Sequence, residues 1–159
     1  MKDADVTANF EFGPRLDLRV HATAAYRDLV RLGRTVSAEL DPRLHALVKI
    51  RASQINGCAF CLDMHARDAR AAGESEQRLS VLSAWREAPF FSPAERAALA
   101  LTEAVTRVGD GRIPDDVYDR AAAEFDPDTL ASLLFAIATI NAWNRLSIAA
   151  RTPPGDYRP

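Results

Sequence analysis

Residues 53–65 read SQINGCAFCLDMH and contain the only two cysteines of the 159-residue chain. Asn56 and Gly57 both tolerate a left-handed backbone, so this pair predicts the end of one helix and the start of another near Cys58. A three-residue spacing at a helix start lets the sulfurs of Cys58 and Cys61 approach bonding distance. The partial positive charge of a helix N-terminus also favours a thiolate there. The stretch therefore predicts chemically active thiols at a helix start.

A histidine lies one helical turn beyond the second cysteine. His65 follows Cys61 by four residues, which places both side chains on one helix face. In that position an imidazole can accept the thiol proton, directly or through water. Asp68 lies on the same face and can orient the imidazole. We take Cys58, Cys61 and His65 as the candidate catalytic residues, and we predict no cofactor and no metal.

Other interpretations of the cysteine pair stay open at this level. A structural disulfide closing so short a loop would stabilise the fold by about 2 kcal/mol, and a reducing compartment disfavours it. Zinc would need one more ligand besides Cys58, Cys61 and His65, supplied by His45 or His21. Two buried, unreactive thiols beside a core histidine are a further alternative.

The periodic apolar patterns of the chain are helical, and no convincing strand alternation occurs. No linker rich in proline or glycine divides the sequence. These features predict one all-α domain of about six or seven helices over residues 1–159, with a core at about 20–150 and an extended or disordered tail at 151–159. The predicted helices cover about residues 18–37, 42–56, 58–72, 75–86, 92–108, 114–125 and 126–149.

Composition and charge argue against several classes of function. The 20 basic and 22 acidic residues give a net charge of −2, whereas a nucleic-acid-binding domain usually carries a basic face. Lys and Arg do not cluster as they do on membrane-surface proteins. The N-terminal MKDADVTANFEF lacks the apolar segment of a signal peptide, and the longest uncharged stretch, residues 129–144, is short for a membrane span. We therefore expect a cytoplasmic protein that binds neither nucleic acid nor membrane.

The last predicted helix, at about residues 126–149, is apolar over most of its circumference. Such a helix needs apolar cover on all sides. The rest of so small a domain, or another subunit, must provide that cover. We therefore expect a homo-oligomer.

Residues 47–74, LVKIRASQINGCAFCLDMHARDARAAGE, resemble the core motif of the alkylhydroperoxidase AhpD family, within the wider carboxymuconolactone decarboxylase superfamily. The resemblance continues in WREAP at 85–89, ERAALA at 95–100 and NAWNR at 141–145, and it covers about residues 20–150. It implies an all-α fold with the motif on a central helix, assembled as a trimer or hexamer. The redox-active members of this family reduce peroxides with the cysteine pair.

The resemblance also implies a role for each site residue. Cys61 would be the thiolate that attacks a hydroperoxide and becomes a sulfenic acid, with His65 as its base. Cys58 would then form a disulfide with Cys61, and an external dithiol on a lipoyl-carrying or thioredoxin-like partner would reset the pair. The predicted function is a thiol-dependent peroxidase of the antioxidant type, or a disulfide reductase. The alternative is a non-redox oligomer that binds a ligand or metal on the same scaffold.

Two positions depart from the family's proton relay. The family's glutamate twelve residues before the first cysteine is Ala46 here, and its histidine directly before the second cysteine is Phe60. His45 precedes Ala46, but one residue along a helix is a rotation of about 100°. His65 is thus the one relay residue that matches, and either weak peroxidase turnover or disulfide reduction is expected.

Overall fold

The computed structural model describes residues 13–159, and all regular structure in that range is helical. This confirms the predicted fold class. The first predicted helix is divided at Ala22, where φ is −135°. The N-terminal segment assessed for an export signal, residues 1–12, lies outside the described residues. The eight α-helices of the described part are α1 Leu18–His21, α2 Thr23–Ala38, α3 Pro42–Asn56, α4 Ala59–Ala71, α5 Glu76–Val81, α6 Pro93–Thr106, α7 Asp115–Glu124 and α8 Pro127–Ala150.

Capping residues fix several of the helix starts. α3, α6 and α8 begin with proline directly after Asp41, Ser92 and Asp126, whose side chains accept hydrogen bonds from backbone N–H groups of the first turn. α3 ends at Gly57, which adopts a left-handed φ of 71°. Because Cys58 follows Gly57 directly, this turn determines where the helix bearing the cysteines begins.

Two apolar clusters pack on opposite sides of α3, which makes it the central helix. Burying each leucine or isoleucine side chain of such a cluster stabilises the fold by about 1.5–3 kcal/mol. α4, α6 and α8 all pack directly on α3. Members of the cluster shared with α2, α6 and α8 include Val36, Leu44, Val48, Leu101, Leu133 and Ile137. Members of the cluster shared with α4, α5 and α6 include Leu47, Ile50, Ala69, Leu82, Trp85 and Leu99.

A buried carboxylate joins α3 to α6. Glu103 is 6% exposed and accepts hydrogen bonds from Arg51 Nε and Trp85 Nε1, both at 2.8 Å, and from Arg86 Nη1 at 2.5 Å. Burial pushes the pKa of Glu103 upward, but these donors outweigh it and hold the pKa below its usual range. Glu103 therefore stays ionised, and its ion pair with Arg51 fixes the two helices against each other.

α8 combines a long apolar sequence with a largely buried position. Among residues 13–159 it is the one helix long and apolar enough to cross a membrane, and half of its most apolar window is buried inside the domain. It packs on α3, α2 and α6. Phe135, Leu146 and Ile148 remain exposed on its outer side. The domain thus covers only part of the apolar surface of α8.

The turn before Cys58 gives a first prediction. Gly57→Ala should lower the free energy of unfolding by about 1 kcal/mol, because alanine is strained in the left-handed conformation. Among the described residues no atom lies within 4 Å of the added Cβ, so the backbone alone carries this effect. The control is Gly33→Ala inside α2, where the nearest atom, Thr139 Cγ2, is 3.9 Å from the Cβ. The control should raise stability by about 1 kcal/mol. Urea denaturation measures both free energies of unfolding, and changes of equal sign would contradict the backbone strain expected at position 57.

Candidate active site

The two cysteines form the start of α4. Cys58 is the N-cap residue, and its Sγ accepts a hydrogen bond from the backbone N–H of Cys61 at 3.2 Å. The two sulfurs are joined in a disulfide, with the Cα atoms 5.4 Å apart. That separation is typical of disulfides. Each cysteine is 1% exposed. The predicted juxtaposition of both sulfurs at a helix start is therefore present in the structure.

Amide hydrogen bonds hold the turn before Cys58 against α8. Asn56 Nδ2 donates to Asn141 Oδ1 at 2.9 Å and to Asn144 Oδ1 at 2.8 Å. Asn144 is fully buried and donates in turn to Ser53 Oγ at 3.0 Å. Buried amides of this kind are costly unless they are bonded. The network therefore holds the end of α3 at a defined position on α8, and it sets where Cys58 lies.

His65 is buried on α4, one turn beyond Cys61. Its Nδ1 atom lies 3.4 Å from Asp68 Oδ2, a contact without hydrogen-bond geometry that becomes an ion pair only when the imidazole is protonated. Within residues 13–159 the Nδ1 atom has no hydrogen-bond partner. Burial lowers the pKa of His65, and the nearby Asp68 offsets this only in part. The imidazole is therefore neutral near pH 7 and able to accept a proton.

Two basic residues of α3, one turn apart, contribute to the same site. Burial lowers the pKa of His45 to about 4, and the charges of Lys49 and His65 lower it further. Burial also lowers the pKa of Lys49, against the opposing effect of Asp68. Lys49 is thus close enough to Asp68 to interact with it through its charge, and His45 lies near Lys49 and His65. The sequence shows the i, i+4 spacing of His45 and Lys49, but nothing in it indicates that they face α4.

The two positions that depart from the family pattern bring no titratable group to the site. Ala46 is buried in the cluster that contains Leu79 and Trp85. Phe60 is half-buried on α4. Of the three relay positions, the one held by His65 is therefore the one that brings a titratable group.

The proposed zinc ligands do not converge. His21 is exposed on α1, while His45 is buried on α3. No group of three or more His, Cys, Asp or Glu side chains in residues 13–159 is placed to hold a metal ion. The sulfurs of Cys58 and Cys61 are bonded to each other instead.

The C-terminal tail crosses the outer side of α4. The backbone N–H of Gly155 donates to Asp63 Oδ2 at 3.0 Å, and Arg67 Nη1 donates to the carbonyl of Tyr157 at 3.2 Å. Tyr157 Oη donates to Asp68 Oδ1 at 2.5 Å. No sequence signal identifies these contacts, because Tyr157 and Asp68 are 89 residues apart in the chain.

The sequence and fold define the class of protein. Residues 20–104, more than half of the chain, match the carboxymuconolactone decarboxylase family, and the chain belongs to that family. It is 47% identical over 115 residues to the uncharacterized protein YdfG of Bacillus subtilis (strain 168). That match covers 72% of this chain and 78% of YdfG.

Solved structures share the fold and confirm the AhpD-like resemblance. Protein ATU0492 of Agrobacterium tumefaciens, of unknown function and suggested to be the antioxidant defence protein AhpD, superposes with a TM-score of 0.87 at 36% identity. The superposition covers 91% of this chain and 100% of ATU0492. The debrominase Bmp8 superposes with a TM-score of 0.77 at 17% identity, over 86% of this chain and 74% of Bmp8, and shares the fold alone.

The buried His45 predicts a pH-dependent stability. Its pKa is about 4 in the fold and 6.5 ordinarily, so the unfolded chain binds more protons between these values. Stability is therefore complete above about pH 6.5 and falls as the pH drops towards 4, with about 2 kcal/mol lost to His45 alone at pH 5. The free energy of unfolding, measured by urea denaturation, should fall less between pH 8 and pH 5 in His45→Gln than in the wild type, by about 2 kcal/mol.

The matched control for this experiment is His21→Gln, which replaces an exposed histidine on α1. The buried His65 remains in both variants, so its own contribution cancels in the comparison. Equal losses of stability in wild type and His45→Gln would show that the pKa of His45 is not lowered in the fold.

Proposed function

We propose that the protein is a thiol-dependent peroxidase that reduces hydroperoxides with the Cys58–Cys61 pair. The observation that carries this proposal is the disulfide at the start of α4 with a buried, neutral His65 one turn away. Cysteines at a helix start are favoured as thiolates. The similarity to ATU0492, suggested to be an antioxidant defence protein, supports the same chemistry.

The first step oxidises Cys61. In the reduced protein His65 takes the Cys61 thiol proton, and the thiolate attacks one oxygen of the peroxide bond. The new S–O bond forms as the O–O bond breaks. The departing alkoxide takes the proton from His65 and leaves as an alcohol, while Cys61 becomes a sulfenic acid.

The second step closes the disulfide. The Cys58 sulfur attacks the Cys61 sulfur, the S–S bond forms, and the hydroxyl leaves with a proton as water. The short distance between the two Cα atoms supports this step. An external dithiol then reduces the disulfide by exchange and is itself oxidised. Cys58 is the expected point of attack, because its neighbours Gly57 and Ala59 are exposed.

Disulfide reduction is the second candidate function. The observation that favours it is the absence of the family's relay glutamate and histidine, whose positions hold Ala46 and Phe60. Thiol–disulfide exchange needs a thiolate but no proton for a departing alkoxide. The debrominase Bmp8 shares the fold, so the fold alone does not select the substrate.

Serine variants separate these functions. Excess organic hydroperoxide added to the reduced wild type should consume both thiols of each chain. Cys58→Ser should retain a sulfenic acid on Cys61, which a 1,3-diketone traps for mass spectrometry. Cys61→Ser should not react. Stopped-flow fluorescence and thiol titration provide the rates and counts.

The outcomes discriminate between the candidates. Reaction of Cys61→Ser but not of Cys58→Ser would reverse the two roles. Wild-type thiols that survive excess peroxide but are oxidised by a small disulfide would establish disulfide reduction instead. Thiols that resist both reagents would exclude redox function and favour the non-redox alternative.

We also propose that the chain forms a homo-oligomer through the outer side of α8. Leu146 borders an apolar groove of about 510 Å³ between α8 and the N-terminal helices. The family resemblance implies a trimer or hexamer, and a second copy is the expected occupant. The groove is also lined by Leu18, Ala22, Ala25, Tyr26, Asp28, Leu29 and Leu32.

Light scattering coupled to size exclusion tests this assembly. Wild type should elute as a trimer or hexamer, and Leu146→Glu should shift it towards the monomer, because a carboxylate in an apolar interface is costly. The control is Val108→Glu, an exposed apolar residue after α6 and outside the groove. A monomeric wild type, or equal behaviour of the two variants, would contradict the proposed interface.

A further inference from the structure

Asp68 is held by two groups from distant parts of the chain. Its Oδ2 atom faces His65 Nδ1 at 3.4 Å, and its Oδ1 atom accepts the hydrogen bond of Tyr157 Oη at 2.5 Å. The Asp68 side chain is 32% exposed, so a carboxylate without the phenol could turn towards water. Tyr157 thus limits the orientations open to the carboxylate that contacts His65.

We propose that Tyr157 is a positioning residue that acts on His65 through Asp68. The phenol holds the carboxylate so that Oδ2 faces Nδ1, which favours the tautomer with its proton on Nδ1. The other ring nitrogen, Nε2, is then free to accept the Cys61 proton. This inference rests on the proposed function, in which His65 is the base.

The tail is anchored to α4 independently of the phenol. Gly155 donates its backbone N–H to Asp63, and Arg67 donates to the carbonyl of Tyr157. Arg67 Nε also donates to Asp63 Oδ1 at 2.8 Å, so the two side chains form one anchoring unit. Gly155 has a φ of 116°, a conformation that favours glycine. These contacts bring Tyr157 to Asp68, and the Tyr157 hydroxyl is then the group that orients the Asp68 carboxylate.

The charges around Asp68 favour this hydrogen bond. Burial raises the pKa of Asp68, but the close contact with His65, the hydrogen bond from Tyr157 and the charge of Lys49 outweigh it and lower the pKa. The hydrogen bond to Asp68 raises the pKa of Tyr157 to about 12. Tyr157 therefore remains a donor, and Asp68 remains an ionised acceptor, throughout the neutral pH range.

Imidazole ¹⁵N NMR of the disulfide form tests the inference without any reaction. The chain has three histidines, and His65→Gln assigns the signal of interest. In wild type the His65 signals should show the Nδ1–H tautomer. Tyr157→Phe should shift the population towards Nε2–H, because the carboxylate is no longer held against Nδ1. Tyr118→Phe, on the distant α7, is the matched control and should leave the wild-type signals unchanged.

Kinetics of the reduced protein provide the second measurement. Tyr157→Phe should slow the consumption of thiols by cumene hydroperoxide roughly tenfold. Asp68→Asn should slow it at least as much. Adding Tyr157→Phe to Asp68→Asn should change the rate less than about twofold, because a residue that acts through another has no effect once that partner is lost.

The two measurements separate the inference from the proposed function. If Tyr157→Phe kept the His65 tautomer and the peroxide reaction rate of the wild type, the positioning role would be overturned. It would also be overturned if the rate effects of Tyr157→Phe and Asp68→Asn simply multiplied in the double variant. Wild-type thiols that do not react with peroxide would overturn the peroxidase proposal. In that case the His65 tautomer in Tyr157→Phe still decides the role of Tyr157: a shift supports it, and no shift overturns it.

Discussion

The hydrogen bonds from Asn56 to Asn141 and Asn144 fasten the end of α3 to α8, and the site depends on this attachment. Most of the other buried side chains of α8 are apolar, and a buried amide there is tolerated only when it is bonded. These hydrogen bonds fix the turn at residues 56–58 against α8. The left-handed conformation of Gly57 then directs the chain into α4. The position of Cys58 as N-cap follows from these two constraints. The chemistry of the site thus depends on polar contacts about one turn away from the sulfurs.

α3 serves both the core and the site. One cluster of its side chains packs on α2, α6 and α8, and another packs on α4, α5 and α6. His45 and Lys49 lie on the same helix, and the charge of Lys49 interacts with Asp68 on α4. Because α3 is held by both clusters and by the Arg51–Glu103 ion pair, these basic groups are presented from a rigid support. Such support keeps a site pre-organised.

Local signals predicted the helices, and long-range contacts completed the site. Asp41, Gly57 and Ser92 act through neighbouring backbone, so caps and turns can be read from short stretches. The shared face of Cys61, His65 and Asp68 follows equally from helical spacing. The approach of Lys49 and Tyr157 to Asp68 depends on how α3 and the tail pack on α4. The periodic pattern of apolar residues carries no information about that packing. For the same reason the sequence predicted an extended or disordered tail but not its hydrogen bonds to α4.

The Nδ1 atom of His65 faces Asp68 and has no hydrogen-bond partner among residues 13–159. A buried nitrogen without a hydrogen bond costs about 1–3 kcal/mol, so this atom calls for an explanation. Burial keeps the imidazole neutral at rest. In the proposed reaction the Cys61 proton turns His65 into a cation, and the contact with Asp68 then becomes a charge-assisted hydrogen bond, which is stronger than a neutral one. In that proposed reaction Asp68 would stabilise the imidazolium at a site whose relay-glutamate position holds Ala46.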